Sequence, residues 1–193
     1  MPLGTQASRL RLTLRRKSIY NMIIPYSPLE QIEQELLATN RPNIDHLLRY
    51  MRDYGFYTQS CHRHHRYQGG LADHALQTMR FALRQWMQDK ASGKQDAIKT
   101  TRESIVFAAL LHDLCDVHGP FLTDGHGRKS AWVIKQLEVH LSLQEFLAIR
   151  FHMSLRGKET HPLYPDARRS YLRTLIHVAD GRSAAKHIGA DIE

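Results

Sequence analysis

The chain has few cysteines and no long hydrophobic segment. Only Cys61 and Cys115 occur in its 193 residues, too few for the disulfide framework of small secreted domains. No run of about 18 or more apolar residues occurs, so no membrane span is predicted. The basic N-terminus lacks the apolar run and cleavage site of a secretory signal. These absences favour a protein with a buried core in the reducing cytoplasm.

Acidic residues are missing from the first twenty positions, although the chain contains 19 of them. We predict a basic N-terminal extension over residues 1–20 and a helical domain over residues 21–193. A disordered tail is favoured for the extension, and a nucleic-acid-binding arm is the alternative. The formal net charge of +8 favours an anionic ligand or partner without identifying it.

Strand patterns are scarce in the rest of the sequence, whereas helical periodicity is frequent. Apolar residues recur at helical spacing over residues 71–87, 103–114, 129–139, 143–153 and 168–187. Segments with glycine or proline separate them, including residues 55–70 and 117–127. The pattern therefore predicts an all-α fold, in which helices pack on one another as a bundle.

Histidine is abundant, with 13 residues, and its placement is more informative than its number. Most of six ligand-type residues lie in or beside apolar helical segments, where a polar side chain is costly unless something binds it. The six are His74, His112, Asp113, His126, His152 and Asp180. Each alone has an ordinary interpretation, such as a surface histidine or a helix-terminal acid. Mixed imidazole and carboxylate ligands favour Fe, Mn, Co, Ni or Zn over Ca, without choosing among them.

Three strings of the sequence are distinctive: HHRYQGGLADH at 64–74, AALLHDL at 108–114 and GHGRKS at 125–130. Together with the ligand order, they resemble the HD-domain superfamily of metal-dependent phosphohydrolases. Within it, the chain is similar to the subgroup with an HH-x-Y-x-GGL-x-x-H opening and a later GHG-x-KS stretch. The resemblance covers about residues 58–187.

The resemblance implies an HD-like helical bundle around a centre of one or two divalent metals. His74, His112, Asp113 and Asp180 would bind the first ion. His126 and His152 would hold the second, and Asp113 would bridge the two. The implied activity is hydrolysis of a nucleotide or another phosphomonoester or phosphodiester by a metal-activated water. The implied catalytic residues are Asp113, His65 and Lys129, and the candidates for substrate phosphate are Lys129, Arg128, Arg150 and Arg182.

One position departs from the family pattern. Many members have a lysine three residues after the Asp of the HD pair, whereas this chain has Asp116, which would repel phosphate. Lys129 or an arginine would replace that lysine, or the substrate differs, or activity is lost. Two alternatives to a phosphohydrolase stay open. One is a non-catalytic module that binds metal or nucleotide. The other is a nucleic-acid-processing component, since similar openings occur in HD domains of exoribonucleases and conjugative relaxases.

Overall fold

The structure is a computed structural model that describes residues 27–61, 64–118, 125–153 and 160–188. Nine α-helices and one 3-10 helix form the secondary structure of these residues, which contain no strand. The prediction of an all-α fold is confirmed. None of the described helices is both long enough and apolar enough to cross a membrane. The predicted extension, residues 1–20, lies outside the described residues.

The helices are, in chain order, α1 (Pro28–Leu37), α2 (Ile44–Asp53), α3 (Gly70–Ala91), α4 (Gln95–Lys99), α5 (Arg102–Leu111), the 3-10 helix (Leu114–His118), α6 (His126–Gln136), α7 (Leu143–Arg150), α8 (Tyr164–Arg169) and α9 (Tyr171–Ile188). Hydroxyl side chains begin three of them: Ser27 caps α1, Thr101 caps α5 and Ser142 caps α7. Ser27 and Ser142 belong to complete capping boxes. These starts are therefore encoded locally.

Helix α5 is the centre of the core. Its residues 105–111 are all apolar and all buried, so this helix has neighbours on every side. Helices α3, α7 and α9 pack against it, α9 also packs on α3 and on α7, α6 packs on α7, and α1 covers α3 and α5. As a result, the C-terminal ends of α5 and α7 meet the inner faces of α3 and α9.

A buried carboxylate, that of Glu145 in α7, joins distant parts of the bundle. Its side chain is 1% exposed, and the Arg41 guanidinium donates to both carboxylate oxygens at 2.9 and 2.5 Å. The Ser104 hydroxyl donates to it at 2.7 Å. Burial opposes ionisation, but these donors outweigh it and lower the pKa of Glu145. Through Ser104 and Arg41, Glu145 therefore joins α7 to α5 and to the segment between α1 and α2.

Some helix ends differ from the predicted ones. Helix α5 ends at Leu111 and not at 114, so His112 and Asp113 lie beyond it. His112 Nδ1 donates to the carbonyl oxygen of Ala109 at 2.8 Å, which is the acceptor that the Asp113 N–H would use in a longer helix. Helix α6 begins at 126, earlier than predicted. The predicted helix over 168–187 is divided, because α8 ends at 169 and α9 begins at 171.

Candidate metal centre

Four side chains converge where α3, the end of α5 and α9 meet. His74 Nε2 lies 3.2 Å from His112 Nε2 and 3.2 Å from Asp180 Oδ1. Asp113 Oδ2 lies 3.6 Å from His74 Nε2 and 3.3 Å from His112 Nε2. Ligand atoms bound to one ion at about 2.0–2.2 Å are themselves about 3–4 Å apart. These four residues are called group A here. They belong to two overlapping sets that could each hold an ion, His74 with His112 and Asp113, and His112 with His152 and Asp180.

A second set of side chains shares Asp113. His126 Nε2 lies 3.0 Å from the other carboxylate oxygen of this residue, Oδ1, and His152 Nε2 lies 3.3 Å from it. The two imidazole nitrogens are 2.9 Å apart. These three residues, called group B, could also hold an ion. Asp113 therefore presents one oxygen to each group.

The outer nitrogens of three imidazoles, those of His74, His112 and His152, are held by the protein, which directs their inner nitrogens at the centre. His112 Nδ1 faces the Ala109 carbonyl and His152 Nδ1 faces the Ile149 carbonyl, each at 2.8 Å. Because a carbonyl only accepts, both Nδ1 atoms carry hydrogen, and Nε2 of the neutral ring keeps its lone pair. His74 Nδ1 is hydrogen-bonded to the Ser183 hydroxyl at 3.0 Å. Such outer hydrogen bonds are typical of metal-binding histidines.

One oxygen of this centre lacks a well-aligned hydrogen bond. Asp113 Oδ1 is buried, and no described residue forms a hydrogen bond of good geometry with it. His126 and His152 also approach each other through Nε2 at 2.9 Å, and Nε2 of the neutral His152 ring is an acceptor. Such contacts between acceptors are favourable only when a cation or a proton lies between them. The residues present therefore fit a bound metal.

The charges of the centre depend strongly on one another. Burial opposes the charged form of His112, but Asp113 and Asp180 outweigh it and raise the pKa of this imidazole. The pKa of His126 is raised in the same way, chiefly by Asp113. The imidazoles in turn hold the pKa of both carboxylates well below the usual range, against the effect of burial. Burial lowers the pKa of His152. Without a metal, protons on imidazoles supply the charge that an ion would supply.

Helix α6 approaches the end of α7 unusually closely, and this contact sets the geometry of group B. A Cβ atom on Gly127 would lie 2.4 Å from the Ile149 carbonyl oxygen and 2.7 Å from that of Arg150. Only glycine fits this contact without a backbone shift. The close approach places His126, the first residue of α6, against His152 just after α7. The GHG string therefore supplies a packing contact through Gly127 as well as the candidate ligand His126.

His64 and His65 form a layer behind group A. The His64 ring centroid lies 4.5 Å from that of His74, and its Nδ1 lies 3.1 Å from His65 Nδ1. These three residues satisfy the spacing for another ion. However, both nitrogens of His74 are engaged, one in group A and the other with Ser183. A further ion here would compete with group A, so we do not count His64 and His65 among the ligands and assign them to the layer behind group A.

Three contributors to the centre were not predicted from the sequence. Ser183 lies one helical turn after Asp180, so a helical projection of α9 could have indicated it. His64 directly precedes the predicted His65. Arg173 is buried and donates to the Phe151 and Met153 carbonyls, at 2.7 and 2.8 Å, on either side of His152. Only the tertiary structure indicates this last contact.

The four predicted phosphate ligands lie in different surroundings. Arg128 and the half-buried Lys129 are in the first turn of α6, and Arg150 ends α7. Arg128 and Arg150 line a shared surface groove, whereas Lys129 is not among the residues that line it. Arg182 is exposed and donates to the amide oxygen of Gln85 at 3.2 Å.

Asp116 is buried and not directed into solvent. It lies in the 3-10 helix, and its N–H donates to the Asp113 carbonyl at 2.9 Å. Burial, followed by repulsion from Asp113, raises the pKa of Asp116 to about 7. A second carboxyl group thus stands beside group B at the position where many HD proteins have a lysine.

No family model, curated protein or solved structure matches the chain. The resemblance to the HD-domain superfamily stays a prediction from the motif residues. The described residues define an all-α protein with adjoining buried histidine and aspartate groups that could hold metal.

Proposed function

We propose that the chain is a metal-dependent phosphohydrolase of the HD type. The observation that carries this proposal is the position of Asp113, which presents Oδ2 to group A and Oδ1 to group B. A carboxylate shared by two histidine-rich ligand sets is typical of two-metal hydrolases of phosphoesters. Fe, Mn, Co, Ni and Zn all suit such ligands.

Groups A and B would hold the metals, and the surrounding residues would prepare the substrate. When bound, the ions supply Lewis acidity toward a phosphoryl oxygen and a water acidified for attack. Hydrolysis adds the elements of water across a P–O bond and releases an alcohol. Asp180 and His126 keep side-chain exposures of 16% and 15%, so the substrate approaches from their side of the centre. Arg128 and Arg150, which line a common surface groove, would bind the phosphate.

Metal reconstitution tests this proposal directly. The purified protein is stripped of metal, reloaded with Mn, Fe, Co, Ni or Zn, and assayed with p-nitrophenyl phosphate and bis(p-nitrophenyl) phosphate. We expect turnover with at least one metal, and loss of that turnover in Asp113→Asn. Asp166→Asn is the matched control, because Asp166 is an exposed acid in α8. Wild-type protein that is inert on both esters with every metal would contradict the proposal.

A non-catalytic module that binds metal or nucleotide is the second candidate, and Asp116 favours it. This carboxyl group cannot bind phosphate as the lysine of many HD proteins does. It is buried beside Asp113 and His126 of group B. The module would bind metal at both groups and a nucleotide at the arginines without releasing product. Metal binding together with nucleotide binding, but without hydrolysis, would favour this candidate.

A further inference from the structure

A surface groove of about 690 Å³ lies between α6 and α7. Its walls include Trp132 and Phe146, with Arg128, Lys135 and Arg150 around them and Glu138 just after the end of α6. This set of residues, called the α6 groove here, is separate from the buried ligands of groups A and B. It shares helix α6 with group B, since Arg128 follows His126 by two residues.

The exposed face of α6 alternates cationic and aromatic side chains. Arg128, Trp132 and Lys135 are spaced by four and three residues, which places them on one side of the helix. They extend over about 10 Å of helix axis. Trp132 is 60% exposed, a large apolar surface left in water on a helix whose opposite face is well buried. A flat ligand that covers this ring would remove it from water.

The charge of the groove selects an anionic ligand. Three cationic side chains, Arg128, Lys135 and Arg150, line it together with a single carboxylate, that of Glu138. The basic segment at residues 1–20 does not suit this surface, because it contains no acidic residue. The complementary ligand combines several negative charges with planar rings.

We propose that the α6 groove binds single-stranded nucleic acid, with one base stacked on Trp132 and neighbouring phosphates on Arg128, Lys135 and Arg150. Stacking on an exposed aromatic ring inside a cationic groove is the usual mode of single-strand binding. The strand would lead along α6 to group B. This inference rests on the proposed function for cleavage and names its substrate class as an oligonucleotide, whereas the binding step requires no metal.

Binding is measured first, in chelator so that no cleavage occurs. A fluorescently labelled twelve-nucleotide DNA or RNA strand is titrated with full-length protein, and its anisotropy is followed. Loss of one stacked base costs about 1–3 kcal/mol, so Trp132→Ala should weaken binding about 5- to 150-fold. Lys135→Ala should weaken it and reduce the slope of log affinity against log salt by about 0.7. Lys99→Ala is the matched control, because Lys99 is an exposed lysine on α4.

Tryptophan fluorescence locates the ligand independently of these variants. The chain has two tryptophans, and Trp86 is the half-buried one, donating to the Ala97 carbonyl at 2.7 Å. In a Trp86→Phe protein, the remaining signal reports on Trp132 alone. We expect quenching by the single strand and little response to inorganic phosphate or to double-stranded DNA of the same length.

Three results would overturn the inference. The first is equal oligonucleotide affinity in wild type, Trp132→Ala and Lys99→Ala. The second is binding of poly-glutamate as tightly as the oligonucleotide with the same quenching, which would indicate an acidic protein partner. The third is single-strand binding that leaves Trp132 fluorescence unchanged. None of these results tests hydrolysis. Conversely, Trp132→Ala should slow oligonucleotide cleavage while leaving the turnover of p-nitrophenyl esters intact, so the two proposals fail separately.

Discussion

The Asp113→Asn substitution tests whether one carboxylate serves two metal sites. In the wild type, each oxygen of Asp113 faces a different group of imidazoles. An amide keeps the shape of the side chain but removes its charge and one of its acceptor oxygens. We expect both sites to lose affinity together. The matched substitution Asp180→Asn should weaken group A more than group B, because Asp180 contacts His74 and His112 and is joined to group B only through a set with His152.

The size of the effect follows from linkage between metal binding and unfolding. At a free metal concentration of 100 times Kd, one site that exists only in the folded state adds about 2.7 kcal/mol of stability. For a chain of this length, each kcal/mol raises Tm by about 2–4 °C. One ion therefore raises Tm by about 5–11 °C, and two equivalent ions raise it by about twice as much. We expect Asp180→Asn to keep about half of that increment and Asp113→Asn to keep almost none.

Thermal unfolding with and without Mn, Co, Ni or Zn measures this increment, with metal content determined in parallel. The comparison uses the metal-induced change in Tm, because Asp113→Asn also disturbs the charge balance of the metal-free centre. Asp166→Asn controls for loss of a carboxylate at the surface. If Asp113→Asn keeps the wild-type increment, the bridging role is refuted. If both substitutions leave one ion per chain, Asp113 belongs to a single site.

Three further changes test the surroundings of the centre. Ser183→Ala should weaken metal binding at group A about 10- to 100-fold, since His74 loses its outer hydrogen bond, and unchanged affinity in a chelator competition would contradict this. Glu145→Gln should lower the free energy of unfolding in urea by about 3 kcal/mol at pH 7. Because folding lowers the pKa of Glu145, the contribution of its carboxylate to the free energy of unfolding is complete above about pH 5 and is lost as the pH falls through the folded-state pKa. A stability difference between wild type and Glu145→Gln that stays constant down to pH 2 would refute this electrostatic origin. Gly127→Ala should lower the free energy of unfolding and weaken metal binding at group B, because the added Cβ would lie 2.4 Å from a carbonyl oxygen. Gly181→Ala is the control, and it should be neutral or stabilising because the space around Gly181 is open.

The helical class and the set of ligand-type residues could be predicted because both are local properties of the sequence. Apolar spacing indicates which face of a helix is buried, and a histidine or aspartate beside that face is unusual enough to be noticed. His74, His112 and Asp180 were singled out on this basis, and the structure brings them within contact of one another.

Features that depend on distant parts of the chain could not be predicted. Helix α5 ends at Leu111 because the His112 imidazole donates to the Ala109 carbonyl in the last turn of the helix. The orientation of this imidazole depends on side chains from distant helices. Arg41 and Glu145 are 104 residues apart, and nothing in the periodicity connects them. The α6 groove likewise needs α7 as its second wall, so the spacing of Arg128 and Trp132 alone did not indicate it.

The origin of the ligands in widely separated helices has a consequence for the lifetime of the protein. The contact between His74 and Ser183 alone spans 109 residues. An ion in group A would join α3, the end of α5 and α9, so none of these segments could open without releasing it. Local opening controls amide hydrogen exchange and exposes sites of proteolysis. Protease resistance would therefore follow the concentration of free metal, and a cell starved of that metal would degrade this chain faster than it degrades proteins whose cores need no ion.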